Sequence, residues 1–247
     1  MNIIKIYMNC QLKKIIFFIS LLFVNYFMGQ DLFIQGGGTL NDWANLSRYK
    51  AENNKLKNSS DEAKVVFMGN SITESWSHFE PDFFSTNSYI NRGISGQTTP
   101  QMLIRFKPDV VNLKPKAVVI LAGINDIAGN TGPIEVENIV ENIQSMAEIS
   151  KANRIQVLIC SVLPAIDFPW SPGLNPSKKV LKLNKLLKYY CRENNIIYVD
   201  YYSSMVDKKG GLKVPEYTSV DDLVHPNKKG YEVMRFIIQD SLKKVLE

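Results

Sequence analysis

Histidine and cysteine are scarce in this chain, with two of one and three of the other among 247 residues. His78 and His225 alone cannot build a His-rich metal centre, and no C-x-x-C or H-E-x-x-H is present. Cys10 falls in the N-terminal apolar stretch, which leaves Cys160 and Cys191. Cys160 sits in the apolar run RIQVLICSVLP, where it reads as a small buried side chain; a disulfide with Cys191 would be open to it in an oxidising compartment but is not implied by the sequence. Strong basicity is lacking too. Lys5, Lys13 and Lys14 carry three of the five net positive charges, so residues 30–247 hold only +2 and no nucleic-acid partner is expected. The lysines of SKKVLKLNKLLKYY alternate with Val180, Leu183, Leu186 and Leu187 at helical spacing, as on the wet face of an amphipathic helix.

One segment does read as a targeting signal: three lysines precede IIFFISLLFVNYFMG, which ends on a small residue before Gln30. This predicts a secretory signal over residues 1–29, cleaved near Gly29 or Gln30, and export to the periplasm or beyond. The run is short for a membrane span, no stop-transfer charges follow, and no cysteine stands at the cleavage point for a lipid. No stable membrane anchor is therefore expected after cleavage. The remaining residues, 30–247, are the right length for one domain, with residues 30–62 forming an N-terminal helical extension packed on it. In that extension Asn41 or Asp42 is the expected cap, with Trp43, Leu46 and Tyr49 on one helical stripe.

Further along, apolar runs alternate with helical patterns. KVVFMG, SYINRG, AVVILAG, RIQVLICSVLP and NIIYVD read as strands, and helices are expected near 73–80, 98–106, 134–152, 176–194 and 228–246. All the strands but SYINRG are rich in Val and Ile and little alternated, as strands covered on both faces are. The alternation predicts an α/β fold, a three-layer α/β/α sandwich around a parallel sheet of about five strands. Ligands in such sheets bind beyond the carboxyl ends of the strands. There the polar residues gather, in GNS, NRGISGQTT, GINDIAGN and PAIDFPWSPG.

Ser71, at a strand-to-helix junction, is the candidate nucleophile, although Ser71 or Thr73 could equally cap the helix that follows. The pattern is not G-x-S-x-G, because Thr73 takes the place of the last glycine. A hydroxyl nucleophile needs a base, usually histidine. His78 lies two turns along the same helix, out of reach, which leaves His225, with Asp222 three residues before it. That spacing lets a carboxylate fix one imidazole nitrogen and free the other; Asp221 is the competing carboxylate. Gly93 and Asn125 can present a backbone N–H and a side-chain amide to an oxyanion, although both could equally serve only the turns they stand in.

The ordered motifs GNSIT, NRGISGQTT, AGIND and DDLVHP, running from Gly69 to Pro226, resemble those of the SGNH hydrolases, also called GDSL-type esterases. The resemblance implies a flavodoxin-like sandwich with Ser71 as nucleophile, His225 as base and Asp222 as its partner. It further implies an oxyanion hole of Ser71, Gly93 and Asn125, and no metal or organic cofactor. One departure is Asn70, where the family has aspartate; an amide keeps the hydrogen bonding and loses the charge. The likeness is nearest to the platelet-activating-factor acetylhydrolase-like and bacterial carbohydrate-esterase branches. The expected activity is therefore hydrolysis of short acyl esters, acetyl above all, on a glycan or a small molecule. Trp76, Phe168 and Trp170 are the rings expected to meet a sugar, though Phe168 and Trp170 could equally plug the domain surface. A lipid-directed esterase and a non-catalytic glycan-binding protein are the alternatives.

Overall fold

A computed structural model describes residues 37–58 and 63–247. The signal-like segment 1–29 lies outside these residues, as do parts of the expected extension. Five strands form one all-parallel sheet: β1 (Val65–Gly69), β2 (Tyr89–Gly93), β3 (Ala117–Leu121), β4 (Gln156–Cys160) and β5 (Ile197–Val199), in the order β2-β1-β3-β4-β5. The helices in chain order are α1 (Lys50–Asn58), α2 (Ser71–Phe79), α3 (Pro81–Ser85), α4 (Thr99–Asp109), α5 (Ile124–Ile127), α6 (Val136–Ala152), α7 (Ser177–Glu193), α8 (Tyr202–Met205) and α9 (Lys228–Leu246). Helices α4, α6 and α7 pack beside one another in one layer, while α2, α3 and α9 associate in the other. This is the expected α/β/α sandwich.

Every residue of β1 and β3 is buried, which is why both lack alternation. Strand β2 lies at the sheet edge and starts with half-buried residues, which accounts for its weaker signal. The chain leaves β1 for β2 on one side, then returns to place β3 on the other. Gly69 is in register with both Gly93 and Leu121, so the three carboxyl ends meet where the strand order reverses.

The helical extension begins later than its pattern predicts. Asn45 takes a left-handed φ of 54°, and the Asp42 carboxylate accepts from Leu46 and Ser47 N–H in a turn, not at a helix start. Helix α1 begins only at Lys50; Tyr49 is buried while Leu46 is exposed. Helix α1 docks through buried Asn53, whose amide donates to Asp109 Oδ1 at 2.6 Å and accepts from the Arg92 guanidinium at 2.8 and 3.0 Å. Below the strand ends, fully buried Arg105 pairs with Asp109 at 3.0 Å and donates to the carbonyls of Gly69 at 3.0 Å and Arg92 at 2.8 Å. It also donates to Gln97. One guanidinium thus ties β1, β2 and the loop after β2 together, satisfying donors that would be costly to bury unpaired.

Trp76 does not face a ligand. It is 1% exposed, packed among Phe67, Phe83, Phe84, Tyr201 and Tyr231 between the sheet and the α2 layer. Its position on α2, five residues after Ser71, turns it toward the core. Cys160 and Cys191 are buried free thiols, both pushed up to about 12 by burial. Among the described residues no helix is long and apolar enough to cross a membrane.

Candidate active site

The turn from β1 into α2 is tight enough to require Gly69, where a Cβ would lie 2.0 Å from Thr73 Oγ1. Asn70 caps the helix: its side-chain oxygen accepts Ile72 N–H at 3.0 Å. Neither Ser71 nor Thr73 is the cap, so the Asn in place of the family aspartate retains this bond without the charge. Ser71 becomes the first helical residue, and its hydroxyl is free for another partner.

That partner is His225. Ser71 Oγ lies 2.8 Å from His225 Nε2, and His225 Nδ1 lies 2.8 Å from Asp222 Oδ1 and 3.1 Å from Oδ2. A carboxylate can only accept, so Nδ1 carries the hydrogen and Nε2 is left to accept from the serine hydroxyl. Asp222 Oδ1 also accepts the backbone N–H of His225 at 2.7 Å and of Val224 at 3.1 Å, closing the D-x-x-H turn on itself. Leu223 reaches a φ of 64° to allow this. Asp221 is exposed and takes no part. Pro226 ends the turn, and Asn227 caps α9 by accepting from Gly230 N–H at 3.1 Å.

Around Ser71 and His225 opens a pocket of about 250 Å³ lined by Ser95, Gly96, Asn125, Asn130 and Trp170 as well. Asn125 donates one amide hydrogen to the Gln97 carbonyl at 3.0 Å, which leaves its second for the pocket. Gly93 is not part of this lining. Its N–H donates to Asn91 Oδ1 at 2.8 Å, and a Cβ there would lie 2.1 Å from Glu74 N, so Gly93 is a packing glycine that lets α2 approach β2. Gly96, three residues on, meets the pocket instead, with φ 77° and an N–H that has no acceptor among the described residues. Its motif NRGISG holds two glycines, and only the second lies past the strand end; that offset was the available signal.

The three proposed sugar-facing rings separate cleanly. Trp76 is in the core, and Phe168 is fully buried. Trp170 is 40% exposed, packs its ring on Phe168 at 5.2 Å between centroids, and stands 6.1 Å from the His225 ring at the pocket wall. His78 is exposed beside Phe79. Among the described residues no group of three His, Cys, Asp or Glu could hold a metal ion.

Residues 67–233 match the GDSL-like lipase/acylhydrolase family, and the chain belongs to it. It is a carboxylic ester hydrolase of that family. The structure of a candidate acylhydrolase from Bacteroides fragilis is 49% identical and superposes with a TM-score of 0.79 over 83% of this chain and 99% of its own. A GDSL-like lipase from Bacteroides thetaiotaomicron is 47% identical, with a TM-score of 0.77 over 81% and 98%. An uncharacterized lipoprotein of Bacillus subtilis, YqeF, is 25% identical over 174 residues, 61% of this chain and 72% of that one.

Proposed function

We propose that this hydrolase works through an acyl-enzyme on Ser71 and removes short acyl groups, acetyl above all, from a glycan outside the cytoplasm. The observation that carries the mechanism is the row Asp222–His225–Ser71, joined by two contacts of 2.8 Å at the wall of the pocket. Ser71 Oγ attacks the ester carbonyl while His225 Nε2 takes its proton; Asp222 stabilises the resulting imidazolium. The tetrahedral oxyanion is held by the N–H groups of Ser71 and Gly96 and the free amide hydrogen of Asn125. His225 then returns the proton to the leaving alcohol, and water attacks the acyl-serine with His225 again as base.

The short acyl preference rests on the pocket wall, where Trp170 is the one large apolar side chain and no aliphatic side chain stands among the described residues. The glycan preference rests on Trp170, a half-exposed ring beside the base. Export rests on the N-terminal sequence pattern, and a relative named as a lipoprotein is in keeping with it. Mixing the protein with p-nitrophenyl acetate tests the covalent step. A burst of p-nitrophenol with acetate found on the Ser71 peptide by mass spectrometry supports it, and turnover with acetylation absent from quenched Ser71 while another residue is labelled contradicts it.

A further inference from the structure

The peptide unit that carries the Gly96 N–H is flanked by two units held by side chains from elsewhere in the chain. Three successive peptide units run through the loop Ile94–Gln97. The first carries Ser95 N–H, which donates to Glu74 Oε2 at 2.8 Å, and the Ser95 hydroxyl donates to the same oxygen. The third carries the Gly96 carbonyl, which accepts from Asn130 Nδ2 at 3.0 Å. Between them lies the unit whose N–H is unclaimed among the described residues and which borders the pocket. The outer two units are pinned and the middle one is left to meet a ligand.

Glu74 sits one turn after Ser71 on α2, and its other oxygen accepts from Arg48 Nη2 at 3.0 Å. Burial on its own would raise the Glu74 carboxyl, but hydrogen bonds from Ser95 and Arg48 outweigh it and hold the group below the usual carboxylate range. It therefore stays an acceptor with two filled oxygens. A plain surface ion pair would look similar on the Arg48 side, and such pairs contribute little. What distinguishes Glu74 is that its Oε2 accepts from both the N–H and the hydroxyl of Ser95, next in sequence to the donor.

We propose that Glu74 is a positioning residue for ester hydrolysis: acting through Ser95, it aims the Gly96 N–H at the developing oxyanion, with Arg48 steadying Glu74 and Asn130 fixing the far side of the loop. This rests on the serine-esterase reading above. The test measures kcat and KM for p-nitrophenyl acetate with wild type, Glu74→Ala, Glu74→Gln, Ser95→Ala and Ser71→Ala, with thermal melting alongside. Glu137→Ala, which breaks a surface pair between Glu137 on α6 and Lys182 on α7, is the control and leaves kcat unchanged. Since losing a whole oxyanion donor costs on the order of 10²–10³ in rate, misaiming one in Glu74→Ala is expected to lower kcat by about ten-fold or more with KM within about two-fold. Glu74→Gln, which keeps an acceptor for Ser95, recovers part of the loss, and Ser95→Ala shows a smaller loss of the same kind. A kcat within about two-fold of wild type in Glu74→Ala, or a loss that appears in KM and not kcat, overturns the proposal. If Glu74→Ala does not fold, the Gln and Ser95→Ala variants decide by the same split. Turnover retained in Ser71→Ala instead overturns the underlying reading, whatever Glu74 does.

Discussion

The hydroxyl of Tyr231, on the last helix, donates to the carbonyl of Ile72 at 2.9 Å, within the first turn of the helix that carries Ser71. Ser71 and His225 are 154 positions apart in sequence, so their 2.8 Å contact depends on α2 and α9 keeping a fixed relation. Tyr231 supplies a direct link between them. Removing it in Tyr231→Phe costs one buried hydrogen bond, roughly 0.5–1.5 kcal/mol of stability. Denaturant unfolding should show that loss, and kcat should fall modestly because the serine and histidine are held less tightly.

Gly93 and Gly96 should respond to alanine in opposite ways. At Gly93 the new Cβ would meet Glu74 N at 2.1 Å and Asn70 O at 2.7 Å, backbone atoms that cannot step aside. Gly93→Ala is expected to fold poorly. At Gly96 the penalty is the left-handed φ, roughly 1–2 kcal/mol, so Gly96→Ala should fold but lose kcat as its N–H turns from the pocket. Circular dichroism melting with esterase kinetics on both variants checks the contrast.

Trp76 and Trp170 likewise divide structure from recognition. Trp76→Ala empties a buried aromatic cluster and should cost about 3–5 kcal/mol in unfolding free energy. Trp170→Ala should leave the melting temperature nearly unchanged. With acetylated oligosaccharides it should raise KM, while activity on p-nitrophenyl acetate changes less.

Asp126, 2% exposed, is raised to about 6 by burial, against the lowering effect of hydrogen bonds from Thr99 N–H and hydroxyl at 2.6–3.0 Å. The unfolded group titrates near 3.8, so between about 4 and 6 the folded protein holds a proton that the unfolded chain has lost. The contribution of this group to stability is full below that window and declines as pH rises through it. In Asp126→Asn the slope is removed. The melting temperature of wild type relative to the variant should therefore fall between about pH 4 and 6 and level off above.

Much of this arrangement was readable from residue pattern. Unalternated VVFMG and AVVIL announced strands covered on both faces, and a single usable histidine with an aspartate three residues earlier left few ways to serve a serine. What the pattern hid were matters of direction. Trp76 and Phe168 are near polar loops in sequence yet turn into the core, because helix phase and loop packing decide where a ring points. Sequence does not separate Gly93 from Gly96, since a glycine needed for close helix packing is the same residue type as one needed for an open N–H. The buried Arg92, Asn53 and Arg105 were also invisible, because isolated polar residues show no period when their partners are distant in the chain.

The most direct test of the account is hydrolysis of p-nitrophenyl acetate, butyrate and octanoate by residues 30–247 and by the same chain carrying Ser71→Ala. Turnover concentrated on acetate and reduced in the variant by on the order of 10³-fold or more is the predicted result. Undiminished turnover in Ser71→Ala would contradict the serine mechanism, and a preference for octanoate would contradict the short-acyl assignment.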